Sequence, residues 1–230
     1  MAEPRSSSSR AGDVTASSAS SGPNLRLYAL CGVMAPVFWL LMVIVESLLQ
    51  PGYNQVSQYI SDLGNYALYG SYAILQNLNF WIFGVLVIIF ALGLRQALPQ
   101  KSITVSLVLF GIAIFVSGIF TDQPPPPGKH VSVHDLAGDV AFLSIALCQF
   151  FAWRRLRHTT VEEESAWSRY RNYSLVSGVI TLILLVNLGV AEGSNSVFVG
   201  LAQRAFFTVP WLWIEIMALR LFRLSNQQPR

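Results

Sequence analysis

Two histidines and three aspartates fall within one stretch of the chain, TDQPPPPGKHVSVHDLAGDVA, residues 121–141. His130, His134 and Asp135 form an HxxxHD pattern, and imidazole and carboxylate are the usual oxygen and nitrogen ligands of zinc. Residues four apart share one face of a helix, so this spacing holds a metal only if His130 is already helical. A third ligand would have to come from elsewhere, with Asp122 and Asp62 the candidates. The plainer reading needs no cofactor: His130 is solvated, and His134 caps a helix or makes a hydrogen bond. Ser61 with a histidine and a carboxylate would make a nucleophilic site, but no strained nucleophile turn accompanies it. The catalytic candidates are therefore His130, His134, Asp135 and Asp62, and the weak metal candidates are His130, His134 and Asp122.

These residues sit between long apolar runs. Of the 230 residues, 53% are hydrophobic and only 12% are charged, about half the charged share of a soluble protein. Runs of about twenty apolar residues suffice to cross the hydrocarbon of a bilayer as helices. The sequence predicts an all-α, six-span bundle, with spans near 27–49, 74–97, 103–120, 133–153, 173–191 and 197–222. Residues 1–24 are rich in Ser, Ala and Gly and read as a disordered tail; 25–223 form the membrane domain and 224–230 a short tail. The first apolar run is long enough to span and lacks a small-residue cleavage site, so it reads as a span and not as a leader. Pro36 and Pro210 fall inside the first and last spans, where a missing backbone donor bends a helix. Cys31 and Cys148 lie in spans with no metal-type spacing and read as buried apolar residues.

Charge placement sets the orientation. Arg5, Arg10, Arg26, Arg95, Lys101 and the arginines between Arg154 and Arg171 all fall at one side of a six-span chain, where Lys129 is the only fixed cation in the opposite loops. The positive-inside rule then puts both termini in the cytoplasm. The net charge of +3 needs no nucleic acid to explain it. The opposite face collects Glu46, Asp62, Asp122, His130, His134, Asp135, Asp139, Glu192 and Arg204. Arg204 lies about seven residues into its span, roughly 10 Å deep at 1.5 Å per residue. A charge at that depth turns inward and pairs, so Arg204 is expected to meet Asp139 or another carboxylate. Asn77, Asn79 and Asn187 are expected to line the same pocket, giving Arg204, Asp139, Asp62, Asn77 and Glu46 as the ligand-binding set. Glu215 is expected to pair with Arg220 or to snorkel toward it. The tyrosine-rich segment after the first span suits the headgroup level and reads as a short helix or ordered loop on the membrane surface.

Four segments carry a family resemblance: PGYNQVSQYISDLG after the first span, NLNFWIFG opening the second, HDLAGDVAF opening the fourth and GLAQRAFF opening the sixth. In order and placement they resemble the domain of unknown function 998 family. The resemblance covers about residues 27–222 and implies a six-span membrane protein without an established activity. The ISDLG loop and the histidine-led fourth span also faintly resemble the Frag1/DRAM/Sfk1 group of six-span proteins. That group touches lipid remodelling, an analogy of fold that does not transfer function.

Three functions follow as expectations. The first is binding of a lipid headgroup or small polar ligand in an outer-leaflet pocket of the cell membrane, with membrane lipids as partners. The second is an intramembrane, metal-dependent lipid hydrolase. The third is a small-molecule transporter, for which repeated halves and paired broken spans are not evident.

Overall fold

The computed structural model describes residues 25–121, 132–158 and 161–226, the side chains of 161–166 excepted. The Ser-rich tail, the polyproline run, Asp122, Lys129 and His130 lie outside the described residues. Six long helices carry the chain: α1 (Leu25–Leu49), α3 (Ala73–Ala97), α4 (Lys101–Ile119), α5 (Val133–Leu156), α6 (Val161–Gly193) and α7 (Val199–Ser225). A single turn, α2 (Tyr66–Tyr69), sits between 3₁₀ turns at Ser61–Gly64 and Gly70–Tyr72. All six long helices are apolar and long enough to cross a membrane. Even the 19 residues of α4 reach roughly 28 Å at 1.5 Å each. The protein is an all-α, multi-pass integral membrane protein.

Each long helix packs on its neighbours in the chain, and α1 closes the ring against α7. Up-and-down connection through six crossings leaves the start of α1 and the end of α7 at one face, here the terminal face. The segments 50–72 and 194–198 lie at the other, the loop face, with the end of α4 and the start of α5. Aromatic rings fill the middle of the ring. Trp39 of α1 packs edge-on against Phe80 and Phe83 of α3, with centroids 5.1 and 5.0 Å away. It also meets Trp211 of α7 at 5.0 Å, and Trp211 stacks on Phe207 at 5.0 Å. Phe142 of α5 joins through Phe206 and Phe207. Outside, Leu41, Leu48, Val105, Ile183, Val186 and Val190 are exposed, as the lipid side of a bundle requires. α3 and α4 cross closely because both present glycine: a Cβ on Gly84 would lie 2.5 Å from the Gly111 carbonyl, and one on Gly111 2.7 Å from that of Gly84. α1 and α7 continue through Pro36 and Pro210.

Three expectations need correction. The span expected from residue 173 belongs to a helix that starts at Val161. The polar stretch before it contains no Pro or Gly to stop a helix, and Trp167 is buried so that its turn docks on the bundle. Arg220 does not pair with Glu215. Five residues on a helix turn through about 500°, so the two point to different sides. The Arg220 guanidinium instead lies over the rings of Trp167 and Tyr170, at 5.6 and 5.9 Å. The tyrosine-rich segment, finally, does not simply lie on the surface. Ile60 and Leu63 plug the loop face at 2% and 0% exposure.

Gly84→Ala is expected to cost about 1–3 kcal/mol, the usual range for overpacking a tight contact. Gly189→Ala, where a Cβ meets nothing within 4 Å, should not destabilise. Unfolding midpoints of the two variants in the same detergent check the pair.

Candidate functional site

The loop that plugs the bundle is held by donors from three helices. Gly52, at φ 84°, turns the chain out of α1. Asn54 Oδ1 accepts from the amides of Val56 and Ser57, a local turn that the Asn side chain builds for itself. Leu201 N donates to the Val56 carbonyl at 3.0 Å. A Cβ at Gly200 would fall on the Gln58 carbonyl, so only glycine lets the loop come so close to α7. Arg204 is the main clamp. Its Nη1 donates to the carbonyls of Gln58 and Gly200 at 3.0 and 2.9 Å, and its Nη2 donates to the Tyr53 hydroxyl. That hydroxyl in turn donates to the Tyr59 carbonyl at 2.9 Å. Burial pushes the Tyr53 phenol up to about 12, against the pull of the Arg204 charge.

Deeper contacts hold the Ser61–Gly64 turn. The amide of Ile60 donates to Gln203 Oε1 at 2.6 Å. Gln50 of α1 and Asn77 of α3 donate their side-chain NH₂ groups to the carbonyls of Leu63 and Gly64, at 3.3 and 3.2 Å. Asp62 Oδ2 accepts from the Tyr59 amide at 2.8 Å.

The starts of α5 and α7, the end of α6 and this turn enclose a cavity of about 490 Å³. Its wall includes Asp62, Asp135, Asp139 and Glu192, together with Ser61, His134 and Gln203. Asp139 lies within electrostatic reach of Asp135, and both act on Glu192. Below it, a cleft of about 30 Å³ shares Ser61, His134, Gly138, Phe142 and Gln203, and ends on Trp39, Phe80 and Phe207. The site is a carboxylate-rich chamber above an aromatic floor.

His134 is buried at 8% exposure, and its Nδ1 sits 2.9 Å from the carbonyls of both Ser117 and Phe120. A carbonyl only accepts, so Nδ1 is the donor, and Nε2 takes no part in these bonds. The ring thereby caps the carbonyl end of α4, the hydrogen-bonding role that the plainer reading expected. Asp135 spends one oxygen in a capping box: its Oδ2 accepts from Ser132 N at 3.1 Å, while Ser132 Oγ accepts from Asp135 N at 3.0 Å. The S-x-x-D signal for this cap was present in SVHD and passed unread. α5 starts at Val133 behind that cap, and the other members of the expected metal set, His130 and Asp122, lie outside the described residues. Among the described residues, no three His, Cys, Asp or Glu side chains group as a metal site.

The expected ligand-binding set is divided in three. Asp62 and Asp139 line the cavity with His134 and Asp135. Arg204 does not reach Asp139; it turns to the loop carbonyls and Tyr53. Its neighbour Gln203, about 100° around the helix, takes the cavity side and was missed because an uncharged amide gave no signal beside an arginine. Asn77, Asn79 and Glu46 are buried, at 1%, 0% and 0% exposure, beneath the turn and outside the cavity wall. Asn187 is exposed. Cys31 and Cys148 are free, and Cys148 is buried.

A closed ring of six membrane-crossing helices, roofed by an inserted loop, defines a polytopic membrane protein with its polar chamber at one face. The chain belongs to the family described as protein of unknown function, DUF998, whose family model matches residues 33–220. That range holds the whole cavity and the clamp. No curated protein and no solved structure matches the chain, and the fainter likeness to the Frag1/DRAM/Sfk1 group is not shown.

Arg204→Ala removes charge-assisted bonds worth about 1.5–3 kcal/mol each in general, and should speed amide exchange at Val56, Ser57, Tyr59 and Ile60 by tenfold or more. Hydrogen-exchange mass spectrometry of the loop peptide is the check. A phenol whose folded pKa is raised stabilises the fold fully below its ordinary value near 10 and loses that contribution as the pH rises through about 12. The unfolding midpoint should therefore fall across that window in the wild type and fall less in Tyr53→Phe.

Proposed function

We propose that the protein binds the headgroup of a membrane lipid, or a small polar amphiphile of the same chemistry, in the carboxylate-lined cavity at its loop face. The observation that carries this reading is the vertical order of the site. Asp62, Asp135, Asp139 and Glu192 surround the chamber, and Trp39, Phe80, Phe142 and Phe207 line the narrow cleft beneath it. Carboxylates at the rim favour an amine or quaternary ammonium group, and aromatic faces add to the attraction for such a cation. At helix ends these groups stand at headgroup depth, where an amphiphile presents its own polar end. The distribution of Arg and Lys supports cytoplasmic termini, which would turn the cavity to the outer leaflet of the cell membrane.

A hydrolase is the second reading, and one observation favours it. His134 is oriented by two carbonyls, so its Nε2 is the nitrogen left to serve as a base or a metal ligand, and Ser61 lines the same cavity. No hydrogen bond joins Ser61 to His134 among the described residues, and binding remains the better-supported role.

The full chain in nanodiscs is assayed by native mass spectrometry with lipids that carry choline, ethanolamine or glycerol headgroups. Amine-bearing lipids are expected to be retained over the glycerol lipid, and Asp139→Asn/Glu192→Gln should abolish that preference while the protein stays monodisperse. Equal retention of all three lipids would overturn the reading. Ester cleavage that disappears in His134→Ala would move the assignment to the hydrolase.

A further inference from the structure

A second polar layer lies beneath the Ser61–Gly64 turn, apart from the cavity. Trp39, Val43 and Glu46 of α1 and Gln50, the residue that follows it, make one buried stripe, and the rings of Phe80 and Phe83 fix the register of that stripe against α3. The two helices run in opposite directions. Seven residues from Trp39 to Glu46 rise about 10 Å, and the step from Phe80 back to Gln76 rises about 6 Å. Glu46 thus stands level with the first turns of α3, under Gln50 and above Asn79.

Glu46 is fully buried, and neither of its carboxylate oxygens has a hydrogen-bond partner among the described residues. The amides around it are oriented by carbonyls. Gln50 and Asn77 give their NH₂ groups to Leu63 and Gly64. Asn79 gives its NH₂ to Gln76 Oε1 and the Trp39 carbonyl, at 3.1 and 3.4 Å. Gln50 Oε1, Asn77 Oδ1 and Asn79 Oδ1 are all buried without a partner, with Asn77 Oδ1 against Gly64. Gln76 Nε2 and, lower on the same α1 stripe, Trp39 Nε1 are buried donors without a partner among the described residues, and neutral donors do not cancel a carboxylate's charge. A buried anion at the level of unpaired oxygens is costly, whereas a hard cation takes carboxylate and amide oxygens as its ligands.

We infer that Glu46, with the side-chain oxygens of Gln50 and Asn79, binds a small alkali cation of the sodium class between α1 and α3. The ion sits directly under the Leu63 and Gly64 carbonyls that Gln50 and Asn77 hold. Its binding therefore tightens the turn whose Ser61 and Asp62 line the cavity.

The test uses the full chain in mild detergent, with the unfolding midpoint followed as NaCl replaces choline chloride at constant total salt. Sodium should raise the midpoint saturably. Glu46→Gln should lose the response, Gln50→Leu should need severalfold more sodium for half the effect, and Asp139→Asn in the cavity should respond as wild type. The Gln50 and Asp139 variants carry the test if Glu46→Gln does not fold. Equal curves in sodium and choline overturn the inference, as does a sodium response that survives Glu46→Gln. A wild type stabilised by acid and indifferent to sodium would mean a protonated Glu46 instead, and also overturns it. A response lost in Asp139→Asn would put the ion in the cavity. No lipid enters this measurement, so its failure and that of the headgroup reading are separate.

Discussion

An irregular loop can enter an apolar bundle only if its backbone groups find partners there, because hydrocarbon offers none. The segment between α1 and α3 meets that condition with side chains from the helices it touches. Arg204 and Gln203 from α7, Gln50 from α1 and Asn77 from α3 each take one of its carbonyls or amides. Without that pairing the Ser61–Gly64 turn would have no reason to descend, and the cavity would lose a wall. The arginine is better suited than lysine, since its planar fork serves two carbonyls and a phenol at once.

The ring arrangement follows from equally local causes. Short connections join α3 to α4 and α6 to α7, and close contacts at Gly84 and Gly111 bring α3 against α4. The aromatic centre then makes the ring a packed body and not a pore. Trp39 touches partners on α3 and α7, so a single side chain ties the first, second and last membrane helices together. The cleft above it ends on the same rings, which links the depth of the site to the packing of the core.

Polar chemistry is thereby sorted by level. Carboxylates that line the cavity keep access to water at the loop face, with Asp135, Asp139 and Glu192 exposed. Glu46, on the same half of the bundle, has none. Between the two levels lies one 3₁₀ turn, supported from below by Gln50 and Asn77 and bordering the cavity with Ser61 and Asp62. Whatever occupies either level acts on that turn.

Hydropathy alone determined the six helices and their order, because length and apolar content decide whether a segment crosses a bilayer. It also drew the polar residues to one face, since alternation of direction follows from counting spans. The α6 start escaped it, because polar helix formers give no hydropathy signal, and Trp167 docks that turn through a tertiary contact. The division of the site escaped it as well. Gln203 and Arg204 are adjacent in sequence, and the rotation of α7 decides that the amide borders the cavity while the cation clamps the loop. Glu46 and Asp139 both read as carboxylates near one face. Only the packing of α1 against α3 buries the first, and only the gap between α5 and α6 leaves the second open.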